Sequence, residues 1–160
     1  MRGEIFLRPA TKADSRAIWI WRNDFETRAN SFNTKKIPFK KHEQWFAKTL
    51  SNPFRLILIA MSPRDRPIGM VRLDFDGHNN AEISVNLAPE ERGKGFGTAV
   101  ISKACEYAEK NGIKKIIALV KEENQRSAAA FLKAGFKPVS EVTRRGIKKF
   151  VWKPPKSNRS

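Results

Sequence analysis

Nine residues, Glu90-Glu91-Arg92-Gly93-Lys94-Gly95-Phe96-Gly97-Thr98, constrain this chain more than any other stretch. They follow an extended-looking run, Ala81–Leu87, which Pro89 ends, and they precede a helical run, Thr98–Lys110. The three glycines therefore stand at a strand-to-helix junction, where they let the backbone turn sharply and bare its N–H groups. The helix N-terminus behind them adds its own free N–H groups and positive dipole end. Together these make an anion cradle suited to phosphate or pyrophosphate. A P-loop would need Gly-Lys-Ser/Thr after four spacer residues, whereas Lys94 is followed by Gly95. A dinucleotide fingerprint would need a glycine where Thr98 stands, and further βα units for which too little chain remains. The loop taken alone leaves open a glycine-rich turn with no ligand.

A length of 160 residues suits one domain with a full core. An apolar content of 40%, with eleven Phe and four Trp, points to a globular chain. The single cysteine, Cys105, excludes an internal disulfide and falls at an apolar helix position. His42 and His78 have no cysteine partners at ligand spacing, so no metal is expected. The longest strongly apolar run, Leu56–Met61, is too short to span a membrane, and Met1–Ala10 has no signal-peptide core. The expected location is the cytoplasm. The formal charge of +16 raises nucleic-acid binding. The cations are scattered in pairs, though, such as Lys35-Lys36, Lys40-Lys41 and Arg144-Arg145, with no zinc-finger or RNA-recognition signature beside them. Nucleic acid is therefore not the expected partner, and a basic field also attracts polyanionic small molecules.

In chain order, Glu4–Arg8 reads as a strand, and Thr11 with Asp14 forms an N-cap pattern for a helix from about Lys12 to Phe25. Asn30–Ile37 is loop-like, and Pro38 opens a second helix, Phe39–Leu50. Three strands follow, Arg55–Met61, Ile68–Phe75 and Ala81–Leu87, paired as antiparallel hairpins. The helix after the glycine loop carries an apolar stripe of Val100, Ile101, Ala104, Cys105 and Ala108. Asn111-Gly112 stops it, and the apolar Ile113–Val120 is a central strand, parallel to Ala81–Leu87 through a right-handed crossover. Glu122–Lys133 is a helix capped near Asn124, and Phe136–Thr143 with Ile147–Trp152 is a closing hairpin. The expected architecture is α+β, a mixed and mostly antiparallel sheet of about seven strands flanked by four helices. It occupies residues 1–153, before a basic, disordered tail at 154–160.

Arg92, Gly95 and Gly97 spell Arg-x-x-Gly-x-Gly, which resembles the acyl-CoA signature of the GNAT N-acetyltransferase superfamily. A second motif, Glu123-Asn124-Gln125-Arg126-Ser127 followed by Phe131-Leu132-Lys133-Ala134-Gly135-Phe136, resembles that family's penultimate helix and its Lys-x-Gly-Phe end. The order of elements up to Trp152 is similar to the family's as well. The resemblance implies a GNAT fold and an acetyl-CoA-dependent N-acetyltransferase. The backbone of Arg92, Gly93, Lys94, Gly95, Phe96, Gly97 and Thr98 would hold the CoA pyrophosphate. Val85, Asn86 and Leu87 would pair with the pantetheine arm, and one of their amides would polarise the thioester carbonyl. Asn124 and Ser127 would lie beside the pantetheine and the sulfur. Glu82 is the leading candidate for the base that frees the amine lone pair, with Asp74 and Asp24 in reserve; the alternative is a surface carboxylate at a strand start. Phe131 is implied as a cofactor contact, at the position where many relatives place a tyrosine acid, so the thiolate would leave unassisted or be protonated by water or Ser127.

The N-terminal half bears on the acceptor. Trp21-Arg22-Asn23-Asp24, Arg28-x-x-Ser31-Phe32, His42-x-x-Trp45-Phe46 and Val71-Arg72-Leu73-Asp74 resemble the GNAT branch that acylates the 4-amino group of UDP-linked amino sugars in pseudaminic-acid-type pathways. That resemblance implies Trp21, Arg22, Asn23 and Asp74 as acceptor contacts and a UDP-amino sugar as acceptor. Trp21 and Trp45 are residue types more often found in a core than as sugar platforms. Other acceptors are a protein N-terminus or lysine, an aminoglycoside or a polyamine; the last two are cations, against which the basic composition weighs. A homodimer is compatible with all of these. A CoA- or nucleic-acid-binding module without activity is the alternative of a different class.

Overall fold

In the computed structural model, residues 4–156 are described, with the side chains of 141–144 excepted. Strand β1 (Phe6–Pro9) leads through a 3-10 turn at Lys12–Asp14 into helix α1 (Ser15–Asn23). The turn is held by Asp14, which accepts from the Thr11 N–H at 2.8 Å and binds Arg8 through both carboxylate oxygens at 2.9 and 2.8 Å. The single helix expected over Lys12–Phe25 is divided. Asp24 leaves helical geometry (φ −56°, ψ 139°), and its carboxylate caps a second short helix, α2 (Phe25–Ala29), by accepting from Thr27 N–H at 3.1 Å. A capping aspartate offers the backbone an alternative to continued helix, and here that alternative prevails. Among the described residues there are therefore five α-helices, the others being α3 (Phe39–Leu50), α4 (Phe96–Lys110) and α5 (Gln125–Lys133).

The remaining strands are β2 (Arg55–Met61), β3 (Pro67–Phe75), β4 (Asn80–Leu87), β5 (Lys115–Lys121), β6 (Lys137–Arg144) and β7 (Ile147–Trp152). They form one seven-stranded sheet in the order β1-β2-β3-β4-β5-β7-β6. Every neighbouring pair is antiparallel except β4 and β5, which the crossover through α4 makes parallel. Pro154–Lys156 has no regular structure, and the rest of the expected tail, 157–160, lies outside the described residues.

Both faces of the sheet are covered, which explains why β2 reads as a continuous apolar run rather than an alternating one. Leu58 and Ala60 turn to one face, where Val71, Leu73, Ile83, Ile116 and Ala118 meet Val100, Ile101, Ala104 and Cys105 of α4 and Phe131 of α5. Ile57, Ile59 and Met61 turn to the other, under Ile18 and Trp21 of α1 and Phe46 of α3. Ile18 is fully buried, so truncating it to alanine should cost about 2–5 kcal/mol. Burial pushes the Cys105 thiol up to about 12, as befits an inert core residue.

One feature of the sheet positions everything that follows. β3 pairs with β4 along its length, from Phe75↔Ala81 to Gly69↔Leu87. β5 pairs with β4 only over Asn80–Glu82 and Lys115–Ile117, yet it stays on β7 as far as Lys121↔Ile147. Beyond Glu82 the two central strands part, leaving a wedge between them. Gly69 makes room for the departure of β4 towards β3, since a Cβ there would stand 2.7 Å from the Asn86 carbonyl oxygen.

Candidate active site

The wedge exposes a specific set of backbone groups. Ala88 N–H donates to Ile68 O, and Asn80 O accepts from Asp76 N–H, so both residues turn their polar groups towards the β3 side. Alternation along the strand puts Glu82, Ser84 and Asn86 on that side too, and points the N–H and C=O groups of Ile83, Val85 and Leu87 into the wedge. Of the three residues expected to meet pantetheine, Val85 and Leu87 thus offer backbone, and Asn86 does not. The Asn86 side chain instead accepts from Thr27 Oγ1 at 3.2 Å.

At the open end of the wedge stands the glycine loop. Gly93 and Gly95 have φ of +75° and +81°, a conformation that side chains disfavour by about 1–2 kcal/mol. Among the described residues no acceptor meets the N–H groups of Gly93, Lys94 or Gly95. Gly95 is the N-cap of α4, so the first-turn N–H groups of Phe96, Gly97 and Thr98 open in the same direction. Gly97 is helical, and a Cβ on it would make only ordinary contacts, 3.7 Å to Ala130 Cβ and 3.8 Å to Leu87 Cδ1. Nothing inside the protein demands a glycine there. Its backbone stays bare at the helix end beside Gly93 and Gly95.

Side chains beneath the loop fasten it, and two of them were not singled out from sequence. Glu91, 2% exposed, takes Arg66 at 2.6 Å and Lys94 at 3.2 Å. Arg92 turns away from the cradle: its Nη2 donates to Asp24 Oδ2 at 2.8 Å and to Thr27 Oγ1 at 2.6 Å, and its Nη1 to Glu26 Oε2 at 2.8 Å. The contribution of Arg92 to an anion site is therefore structural, tying α2 to the loop. Glu91 and Glu26 carry no motif of their own, which is why sequence reasoning passes over them.

Glu82 sits on the face of the sheet under α1 and α3, opposite Asp74 in the β3 register. Burial, and then the Asp74 carboxylate, push its pKa up, while Arg72 pulls it down. Among the described residues no hydrogen bond or ion pair occupies Glu82. Both reserve candidates are engaged. Asp74 holds Arg72 Nε at 3.2 Å and lies 3.5 Å from Arg55 Nε. Asp24 caps α2 and binds Arg92; burial acts to raise its pKa, but Arg92 and Thr27 outweigh it and hold the carboxyl below its ordinary value.

The remaining expected site residues divide sharply. Trp21 is 6% exposed and belongs to the core, so it is no sugar platform. The Asn23 amide is consumed by the backbone of Ile37, which it both donates to and accepts from at 2.8 Å. Arg22 stays half-buried at the end of α1, lying 4.3 Å over the Trp45 ring. Asn124 caps α5 by accepting from Ser127 N–H at 3.2 Å. Phe131 is 3% exposed and packs edge-on against Phe136 and stacked on Phe150, a core position rather than an open cofactor wall.

No group of three or more His, Cys, Asp or Glu among the described residues is placed to hold a metal ion. No helix among them is long and apolar enough to cross a membrane.

Comparison with known proteins agrees with this geometry. An uncharacterised N-acetyltransferase of Methanocaldococcus jannaschii is 32% identical over 104 residues, 61% of this chain and 46% of the relative. Spermidine N(1)-acetyltransferase of Vibrio cholerae is 25% identical over 139 residues, 85% of this chain and 80% of the relative. The chain thus matches less than half the length of the first of these. Among solved structures, a domain from M. jannaschii superposes with a TM-score of 0.83 at 22% identity, covering 94% of this chain and 99% of that one. The V. cholerae spermidine N-acetyltransferase, in complex with CoA and spermine, gives 0.82 at 24% identity, covering 94% and 95%. Residues 4–137 match the family described as an acetyltransferase (GNAT) domain, and the parted strands, glycine cradle and capped fifth helix are those of a chain that belongs to the GNAT acetyltransferases.

Proposed function

We propose that this protein moves an acetyl group from acetyl-CoA to the primary amine of a small molecule by direct attack. The observation that carries the reading is Glu82, a carboxylate that no described residue pairs with and whose pKa is raised, at the point where β4 and β5 part. The cosubstrate would supply an activated acyl carbon. The wedge-facing amides of Val85 and Leu87 are placed to donate to its carbonyl oxygen as negative charge develops there. Glu82 takes a proton from the ammonium form of the acceptor, directly or through a water, and so restores the nitrogen lone pair. The nitrogen–carbon bond forms as the carbon–sulfur bond breaks, and the nitrogen, which still carries two hydrogens, gives its second proton to solvent. The thiolate leaves and takes its proton from solvent or from Ser127.

The relatives bear on the acceptor. The V. cholerae relative acts on a small polyamine, which supports a small amine over a protein substrate. The narrower reading, a UDP-linked amino sugar, loses Trp21 to the core and Asn23 to the loop, so that Arg22 is what remains of its expected contacts. The test is an acetyl-transfer screen, read by thiol release and product mass, with small amines, spermidine, a UDP-linked 4-amino sugar and a peptide with a free N-terminus. Turnover of a small amine is the expected result. Turnover of the peptide alone would refute the acceptor class, and hydrolysis or silence with every amine would refute the activity.

A further inference from the structure

Arg22 is held in an arrangement that neither the loop nor Glu82 explains. Its Nη1 donates to His42 Nδ1 at 3.3 Å, and its guanidinium carbon lies 4.3 Å from the centre of the Trp45 ring. His42 is fully buried, and its Nε2 is 2.9 Å from the Ser15 carbonyl oxygen. A carbonyl only accepts, so Nε2 carries the proton and Nδ1 is left to accept from Arg22. Burial and the Arg22 charge both hold His42 below its ordinary pKa, which keeps it neutral. Five guanidinium donors are available, and among the described residues one is used, on a neutral ring. Among the described residues no carboxylate pairs with Arg22, and both burial and the nearby Arg72 charge disfavour its charged form. Arg72 and Arg55 share the one carboxylate of Asp74. Cations are thus in excess on this part of the sheet face. A half-buried guanidinium without an anion is costly, and arginine cannot shed its proton to relieve the cost. The geometry points to a receptor waiting for an anion.

We infer that Arg22, aided by Arg72 and positioned by His42, binds a carboxylate or phosphate carried by the acceptor itself, so that the acceptor is an anion-bearing primary amine rather than a polyamine. This rests on the acetyl-transfer reading above and adds the substrate class. The register gives the scale. Arg72 faces Ser84, and Asp74 faces Glu82. Arg72 therefore stands on the neighbouring strand, diagonal to Glu82 on the same face of the sheet, at about 7–8 Å. An amine whose anionic group is three or four bonds away can place its nitrogen at Glu82 and its anion between the guanidiniums. His42 is a positioning residue. It touches Arg22 and is walled from the site by Phe46 and Trp45.

Two measurements test the inference separately from the activity. In the first, inorganic phosphate or 4-aminobutyrate is titrated into protein already saturated with CoA, and tryptophan emission reports on Trp45 under Arg22. A saturable change is expected in the wild type. Arg22→Gln should weaken it about tenfold to a hundredfold, the worth of one or two charge-assisted hydrogen bonds. His42→Phe should weaken it more than His42→Gln, which keeps an acceptor for Arg22. No saturable change, or an equal response in Arg22→Gln, overturns the receptor. In the second, kcat/KM is compared within pairs that differ in the anion: 4-aminobutyrate against butylamine, and phosphoethanolamine against ethanolamine, with spermidine alongside. The member with the anion should lead in the wild type, the two pairs telling carboxylate from phosphate, and Arg22→Gln should erase the lead through KM. Preference for butylamine or spermidine overturns the substrate class while leaving acetyl transfer intact. Silence with every amine overturns acetyl transfer, and the binding titration still decides on the receptor.

Discussion

Arg92 and Asp24, 68 residues apart in sequence, meet at 2.8 Å, and the same carboxylate oxygen that receives Arg92 also caps α2. One ion pair thus joins the glycine loop to the short helix that edges the acceptor side. No residue of α2 is buried, so the polar contacts of Asp24, Glu26 and Thr27 with Arg92 are a large share of what holds it. Charge-assisted hydrogen bonds contribute about 1.5–3 kcal/mol each, less where solvent reaches them. Arg92→Gln is expected to lower the Tm by several degrees, at about 2–4 °C per kcal/mol for a chain of this size. The variant should also lose part of the stability that disappears in acid. The depressed pKa of Asp24 contributes stability above its unfolded value, and that stability fades as the pH falls through the folded one. Thermal melts from pH 7 to pH 3 check both; a variant that melts like the wild type would show that the pair does not hold α2.

Gly95 and Gly97 should fail in different ways. Gly95 needs its left-handed backbone, so Gly95→Val should both destabilise the fold and weaken acetyl-CoA binding. Gly97 has room for a side chain within the protein. Gly97→Asp should therefore leave the melting of the free protein nearly unchanged and abolish the ligand-induced shift. That shift should correspond to about 2.7 kcal/mol for the wild type at a hundredfold excess over Kd. A Gly97→Asp protein that acetyl-CoA still stabilises would remove the helix end from the site.

His42 predicts a pH effect of its own. It is buried neutral with its pKa held down. The unfolded chain therefore binds a proton that the folded chain refuses, and stability is lost as the pH drops below the unfolded value of about 6.5. The difference in Tm between wild type and His42→Gln should narrow from pH 7.5 to pH 5.5. A constant difference would mean that His42 does not titrate on unfolding.

Phe131→Tyr is expected to change kcat by less than about tenfold, and Ser127→Ala likewise. A thiol with a pKa of roughly 8.5 leaves as thiolate at pH 7 at a cost of roughly 2 kcal/mol relative to the protonated form. The nearby N-terminus of α4 reduces that further. A thousandfold loss in Ser127→Ala with unchanged acetyl-CoA affinity would make Ser127 the proton donor.

The order of elements, the parallel β4–β5 pair and the apolar stripe of α4 were legible in the sequence, because periodicity and glycine placement are local signals. The division of the first helix at Asp24 was not. Ala17, Ile18, Trp21 and Phe25 fall along one side of a continuous helix, and the cap that interrupts it is fixed by Arg92 from the far half of the chain. The glycine loop was readable as a cradle, whereas the direction of its arginine was not, since Glu26 and Asp24 become its partners only in the fold. Glu82 stood out as a candidate, but its freedom became visible only once Asp74 and Asp24 were seen to be engaged. The parting of β4 from β5 leaves no signature in β4 itself; Gly69 on the neighbouring strand is the trace it leaves.

The most direct test is the pH dependence of kcat/KM for acetyl transfer to a small amine, measured for wild type and Glu82→Gln. With a raised pKa for Glu82, the wild-type rate should climb with pH through a limb centred above the ordinary carboxylate range, as base and amine both become deprotonated. Glu82→Gln should lose about a hundred- to ten-thousandfold in kcat. Its remaining profile should follow the amine alone, with acetyl-CoA affinity unchanged. Equal rates and superimposable profiles for the two proteins would contradict the account and remove Glu82 from the chemistry.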